Sequence, residues 1–143
     1  MRSLALRSQI ELILQRCRGD AALAALVGTL PDGTLRVFLD YAPEKVAMPF
    51  VYFVVPASNE RKQQEYAFQR DSVFNFIIVS SGEHRFDIEQ RLSELFDLWS
   101  ANLSGMAHHF KVAGSQPMST VDEGARLNQL VLTVQCSTSI GQP

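Results

Sequence analysis

Two apolar runs, "MPFVYFVVP" at 48–56 and "SVFNFIIVS" at 72–80, flank fifteen mostly polar residues, "ASNERKQQEYAFQRD" at 57–71. Phe50 to Val55 is apolar on both faces, which predicts a central strand covered on both sides. In the second run Phe74, Phe76 and Ile78 share one face, and Val73, Ile77 and Val79 share the other. Read backwards, Tyr66 and Phe68 keep the even, apolar phase, while Gln69, Asp71 and Asn75 hold the odd, polar phase. Strand character therefore extends to about residue 66. Residues 66 to 79 in extended form span roughly 45 Å at about 3.3 Å per residue, well beyond a usual strand of ~17–20 Å. The spacing predicts a long β-hairpin arm that leaves the body of the protein.

Such an arm needs something to lie against. An isolated two-stranded ribbon is marginal in water, and its edges invite pairing with other chains. Glu60, Arg61, Lys62, Glu65, Arg70 and Asp71 supply three charges of each sign. A mixed patch suits a second copy or another protein better than a phosphate backbone. The formal net charge of −2 points the same way, since nucleic-acid grips are usually basic.

The remaining segments fall into a simple order. Leu4, Leu6, Ile10, Ile13 and Leu14 predict an amphipathic helix over residues 3–17 with Ser3 as its N-cap. "DAALAALVG" reads as a second short helix, capped by Asp20 and ended by Gly28. "PDG" at 31–33 is a turn, and "TLRVFLD" is a strand with Leu35, Val37 and Leu39 on one face. Pro49 suits the entry of a strand, where its missing N–H costs least. Ser81 and Gly82 lead into "EHRFDIEQRLSELFDLWSANLSG", read as one long helix. Ile88, Leu92, Leu95, Phe96, Trp99 and Leu103 form its stripe, and Gly105 lies just past its end. "HHFKVAG" reads as a short strand and "SQPMSTVDEG" as a loop. "ARLNQLVLTVQC" reads as a closing strand with a bulge near Gln129.

The order α-α-β-β-β-α-β-β predicts an α/β (α+β) fold. It has a single mixed or antiparallel sheet, helices packed on one face, and the long hairpin arm. At 143 residues the whole chain, 1–143, reads as one domain. A chain this long buries about 68–70% of its unfolded surface, so neither metal nor disulfide is required. Cys17 and Cys136 lie far apart in apolar periodic segments, with no C-x-x-C or zinc spacing, and read as buried free thiols. The Arg-rich start is interrupted by Glu11 and runs straight into the fold, and no stretch nears the roughly 18 apolar residues of a membrane span. The expectation is a cytoplasmic protein.

Catalytic chemistry finds little footing. His84, His108, His109, Asp87 and Glu94 are the acid–base candidates. His108 and His109 point to opposite faces of a strand, so they do not share a metal. Asp87 and Glu94 share a helix face in a solvated stripe. There is no G-x-S-x-G, G-x-G-x-x-G or P-loop. Arg2, Arg7, Arg16 and Arg18 do not form one tight stripe for DNA.

The amphipathic first helix, "DAALAALVG", the "VAMPFVYFVV" strand entry, "FNFIIVSS", the helix around "IEQRLSELFDLW" and the final "RLNQLVLTVQC" together resemble the bacteriophage tail terminators. These are the tail-completion, or minor tail, proteins of long-tailed phages. The insert at 57–71 is longer than the family's usual connection. The resemblance implies a structural virion protein rather than an enzyme, with no cofactor and no metal. It implies a homo-oligomeric ring, commonly a hexamer, that caps the tail tube, ends its polymerisation and faces the head–tail connector. The implied partners are further copies of itself, the tail tube protein and the connector protein. DNA passes through the lumen unread, and no membrane is involved. The implied location is the virion tail, assembled in the host bacterial cytoplasm. A head-closure or neck adaptor is the nearest alternative, and a small cytosolic enzyme a more distant one. Within that frame the arm supplies the subunit interface, with Arg61, Lys62, Tyr66, Phe68 and Arg70 as its contact residues.

Overall fold

The alternation in the two apolar runs becomes a pair of long antiparallel strands in the computed structural model, which describes residues 2–43, 46–64, 67–122 and 125–140. In chain order the elements are α1 (Arg2–Arg18), α2 (Ala21–Val27), β1 (Val37–Leu39), β2 (Phe50–Gln64) and β3 (Ala67–Val79). They continue with α3 (His84–Phe96), β4 (Trp99–Leu103), β5 (Met106–Asp122) and β6 (Ala125–Ile140). The six strands form one sheet in the order β1-β2-β3-β6-β5-β4. Only β1 runs parallel to its neighbour; every other pairing is antiparallel.

The predicted mixed sheet, long β2–β3 hairpin and helix-covered face are all present. The hairpin does not stand alone, however. β6 pairs with β3 without interruption from Phe68↔Ile140 to Val79↔Gln129, so β3 is an interior strand along its length. The free edge belongs to β2, which β1 covers only at Val51, Tyr52 and Phe53.

Three boundaries differ from the sequence reading. The long helix stops at Phe96, and Trp99–Leu103 forms β4. Trp99 and Leu103 still pack against the core, but from a strand. The segment read as a loop at 115–124 contributes Ser115–Asp122 to β5, paired with β6 down to Asp122↔Ala125. The bulge lies on β5 between Val112 and Gly114, not near Gln129. A fourth, smaller difference is that α1 begins at Arg2, so Ser3 is inside the helix rather than its cap.

All three helices pack on one face of the sheet. There Phe53, Phe74, Phe76, Phe96 and Phe110 are fully or almost fully buried. Their rings chain together: Phe53 to Phe76 at 5.3 Å, Phe76 to Phe96 at 5.4 Å, Phe96 to Phe110 at 5.9 Å between centroids. Phe96 therefore joins α3 to both halves of the sheet. Arg16 of α1 lies over the Trp99 ring at 4.6 Å and donates to the Leu95 carbonyl, which seats α1 against the end of α3. Cation–π and carbonyl contacts together orient the helix.

Asp20 performs two tasks at the start of α2. Its Oδ2 accepts from the Leu23 N–H at 2.8 Å, the expected N-cap bond. The same carboxylate takes Arg91 of α3 in a two-pronged ion pair, with Nε at 2.8 Å from Oδ2 and Nη2 on Oδ1. Arg91 holds the Asp20 carboxyl below the usual carboxylate range, aided by the Leu23 bond and opposed by burial. α2 then ends at Gly28, whose φ of 77° suits a glycine and whose N–H reaches the Ala24 carbonyl.

These contacts predict a ranking. Phe96→Ala is expected to cost about 3–5 kcal/mol, the usual loss for a buried phenylalanine. Asp20→Ala is expected to cost about 1–2 kcal/mol, the usual loss of an N-cap. Urea unfolding of the two variants against the parent checks both the sizes and the order.

Candidate functional site

The face of the sheet opposite the helices is the candidate site. A bulge in β2 sets its composition. Before Val54, the odd residues Val51 and Phe53 of β2 face the helices and are buried. The register slips between Val54↔Asn75 and Ala57↔Val73, so beyond it Ala57, Asn59 and Arg61 turn to the open face. A bulge reverses the alternation in this way because the side-chain period is two.

One row of side chains crosses five strands there. Asn59 pairs with Asp71, Asp71 with Ser137, Ser137 with His109, and His109 with Ser100. The sheet encloses a cleft of about 610 Å³ over this row. Residues from β2, β3, β6, β5 and β4 line it, with Leu98 of the α3–β4 turn beside them. Leu98 is 80% exposed and has a φ of 55°, the left-handed region that non-glycine residues enter at a cost.

The polar groups largely satisfy one another. Asp71 Oδ1 accepts from Gln69 Nε2 at 2.7 Å and from Ser137 Oγ at 3.0 Å, and Gln69 also donates to Ser137 Oγ. Arg61 Nε lies 2.9 Å from Asp71 Oδ2. Burial pushes the Asp71 carboxyl up, but the bonds from Gln69 and Ser137 and the Arg61 charge outweigh it, and the group titrates below its ordinary value. Ser100 Oγ lies 2.7 Å from His109 Nδ1. Ser100, His109 and Asp71 thus share a row, but Ser137 stands between the histidine and the carboxylate. An activated serine needs its histidine oriented by a third group, and Asp71 is committed to Gln69, Ser137 and Arg61. Among the described residues no group of three His, Cys, Asp or Glu side chains could hold a metal ion.

A second polar group lies under α1 on the helix face. Gln9 Nε2 donates to Thr138 Oγ1 at 2.7 Å, Thr138 Oγ1 is 2.6 Å from His108 Nδ1, and His108 Nε2 is 3.2 Å from the Leu103 carbonyl. The carbonyl only accepts, so Nε2 carries the proton and Nδ1 accepts from the threonine hydroxyl. Gln9, His108 and Thr138 are all fully buried. Burial, with His109 next in sequence, lowers the His108 pKa against the opposing pull of the Leu103 bond. His108 is therefore a neutral structural ring.

The five residues expected at an interface do not share one face. Arg61 lies on the open face, 63% exposed, in its ion pair with Asp71. Phe68 and Arg70 hold the even register of β3, the phase of Phe74 and Phe76. Arg70 Nη1 donates to Ser58 Oγ at 2.8 Å. Lys62 pairs with Phe68 in the ladder, and Tyr66 lies outside the described residues. His84 Nε2 donates to the Leu26 carbonyl at 2.7 Å, and Glu94 binds Arg91, so the other acid–base candidates are dispersed. Cys17 and Cys136 are free and buried, with burial pushing each thiol up to about 12. Sequence reasoning missed Ser100, His109, Lys111 and Ser137 as one surface. No local signal gathers them; only the cross-strand register does.

The family described as Tail completion protein gp17 matches residues 11–72, from α1 into β3 and somewhat under half of the chain. A chain of the virion of a native gene transfer agent particle has the same fold, with a TM-score of 0.67 and 17% identity over 89% of this chain and 91% of that one. A second solved chain matches with a TM-score of 0.51 and 11% identity, over 93% and 97% of the two chains. No curated protein sequence matches. The chain is thus similar to tail-completion proteins, as its layout suggests.

The buried histidine makes a pH prediction. The unfolded chain takes a proton on His108 near 6.5, and the folded chain only at lower pH. Between those values the unfolded state binds more protons, so stability falls as pH drops below about 6.5. Urea unfolding between about pH 5 and 8 is expected to show this slope, and His108→Gln is expected to flatten it.

Proposed function

We propose that this chain is a structural protein of a phage or phage-like tail, and that its copies close into a ring capping the tail tube. The match of residues 11–72 to the tail completion family carries this reading. The shared fold with a chain of the gene transfer agent virion supports it. Physical features of the sheet fit as well. β2 beyond Phe53 and β5 beyond Phe110 have no strand partner on their outer sides among the described residues. A protein held in a ring can bury such edges, and a ring of identical copies requires two different surfaces per copy. The single-domain fold of 1–143, the terminated tube and the join to a head connector belong to the same reading. So does a hexameric count, with DNA passing unread and assembly in the host cytoplasm. The contact set Arg61, Lys62, Tyr66, Phe68 and Arg70 remains the hairpin's contribution to the junction between copies.

The structural role is favoured over catalysis by one specific arrangement. The open-face carboxylate, Asp71, is consumed by Gln69, Ser137 and Arg61. A cleft whose polar groups bind each other is a surface for packing and not a poised reaction centre.

Two measurements test the reading. Sedimentation of the chain alone and with purified tail tubes is expected to give a discrete ring-sized particle in at least one condition. Mixing with tubes and, separately, with filled heads is expected to show binding to tube ends. A chain that remains monomeric in both mixtures contradicts the reading, and one that binds heads alone makes it a head-closure adaptor.

A further inference from the structure

Among the described residues, the sheet ends in a ribbon that no third strand covers. β3 stops at Val79↔Gln129. Beyond that point β5 and β6 continue together through Ser119↔Asn128, Thr120↔Leu127, Val121↔Arg126 and Asp122↔Ala125. Among the described residues no third strand joins them. These four pairs extend about 13 Å past the sheet at ~3.4 Å per residue, and a bare two-stranded ribbon is marginal in water. The arm that the alternation placed at 57–71 thus has its unsupported counterpart at the other end of the sheet.

The open-face cleft lies far from this ribbon within one molecule. From Ala125 to Ser137 along β6 is about 40 Å in extended form. The ribbon of a chain therefore does not fold back into its own cleft along the strand that joins them. A ribbon at one end and a cleft toward the other form two different, complementary surfaces, the requirement for head-to-tail contact between copies.

We propose that the β5–β6 ribbon of one copy lies across the open-face cleft of the next copy. This rests on the ring reading above and names the surfaces that make its junction. Charge complementarity favours it. The last described residue of β5 at the ribbon's end is acidic, Asp122. The cleft presents the exposed ammonium of Lys111, while its one carboxylate, Asp71, is already paired with Arg61. Apolar groups match too. Met118 at the root of the ribbon is 39% exposed, and Leu98 beside the cleft is held exposed in a left-handed conformation. A leucine kept in solvent at a conformational cost is explained when a neighbour covers it. The cleft spans five strands, roughly 19 Å of arc at ~4.8 Å spacing, wide enough for a two-stranded ribbon stacked face to face at about 10 Å.

The test is a charge swap read by assembly. Lys111→Glu and Asp122→Lys are made singly and together, and particle mass is measured by sedimentation over a range of concentrations, alone and with tail tubes. Each single change is expected to weaken assembly by about ten-fold or more, and the double change to recover most of it. Thermal unfolding of each variant shows that the fold is kept. A second measurement uses Asn59→Cys with Thr120→Cys, oxidised after assembly; the native thiols are buried. Disulfide-linked multimers are expected only when both changes are present. Single reversals that assemble like the parent, or cysteine pairs that stay unlinked within an assembled particle, overturn this contact and leave the ring intact. A parent chain that never assembles overturns the ring and the contact together.

Discussion

The antiparallel ladder between β3 and β6 is the constraint on which the rest of this structure depends. It runs unbroken from Phe68↔Ile140 to Val79↔Gln129, and neither strand is bulged within it. Slipping the ladder by one residue would send either Phe74 and Phe76 or Leu132 and Val134 to the opposite face. All four are fully buried under the helices, so the register is fixed by burial. The irregularities fall on the flanking strands, at Val54–Ala57 of β2 and Val112–Gly114 of β5. Each flank can then turn polar residues outward without disturbing the central pair.

The consequence is a sheet with two different faces. Under α1, α2 and α3 lie the chained phenylalanines and one buried polar relay, Gln9–Thr138–His108. On the other face a polar row crosses from Asn59 to Ser100 and stays open. The helix face explains stability, since its rings interlock α3 with both halves of the sheet. The open face, with the β2 and β5 edges and the β5–β6 ribbon left unpaired among the described residues, is the surface on which the proposed contact between copies rests.

Much of this was legible in the letters. The alternation in "SVFNFIIVS" placed β3 with an extension to about residue 66, where the strand begins at Ala67, and "DAALAALVG" marked α2 with both its caps. What failed did so for identifiable reasons. Leu95, Trp99 and Leu103 continue a four-residue spacing, so periodicity could not see the helix end at Phe96. The sign of β4 was instead "SG" at 104–105, where Ser104 and Gly105 have φ values of 57° and 73°, the two-residue turn of a hairpin. By periodicity alone, that glycine reads as the residue just past a helix end. "SQPMSTVD" carries few apolar residues, and its strand character comes from pairing with β6 rather than from its own pattern. The five-strand polar row was invisible because its members sit far apart in sequence and meet only through register.

The central claim is that the helix-free face, not the helices, is where copies meet. Amide hydrogen exchange, followed residue by residue on the free chain and on the assembled particle, reads this most directly. In the free chain, β3 and β6 are expected to exchange slowest and the outer edges of β2 and β5 much faster. On assembly, new protection is expected at Ala57–Arg61, at His109–Lys111 and along 115–128, with α1 and α3 unchanged. Protection gained only on the helices, with the open face exchanging as before, would contradict the account.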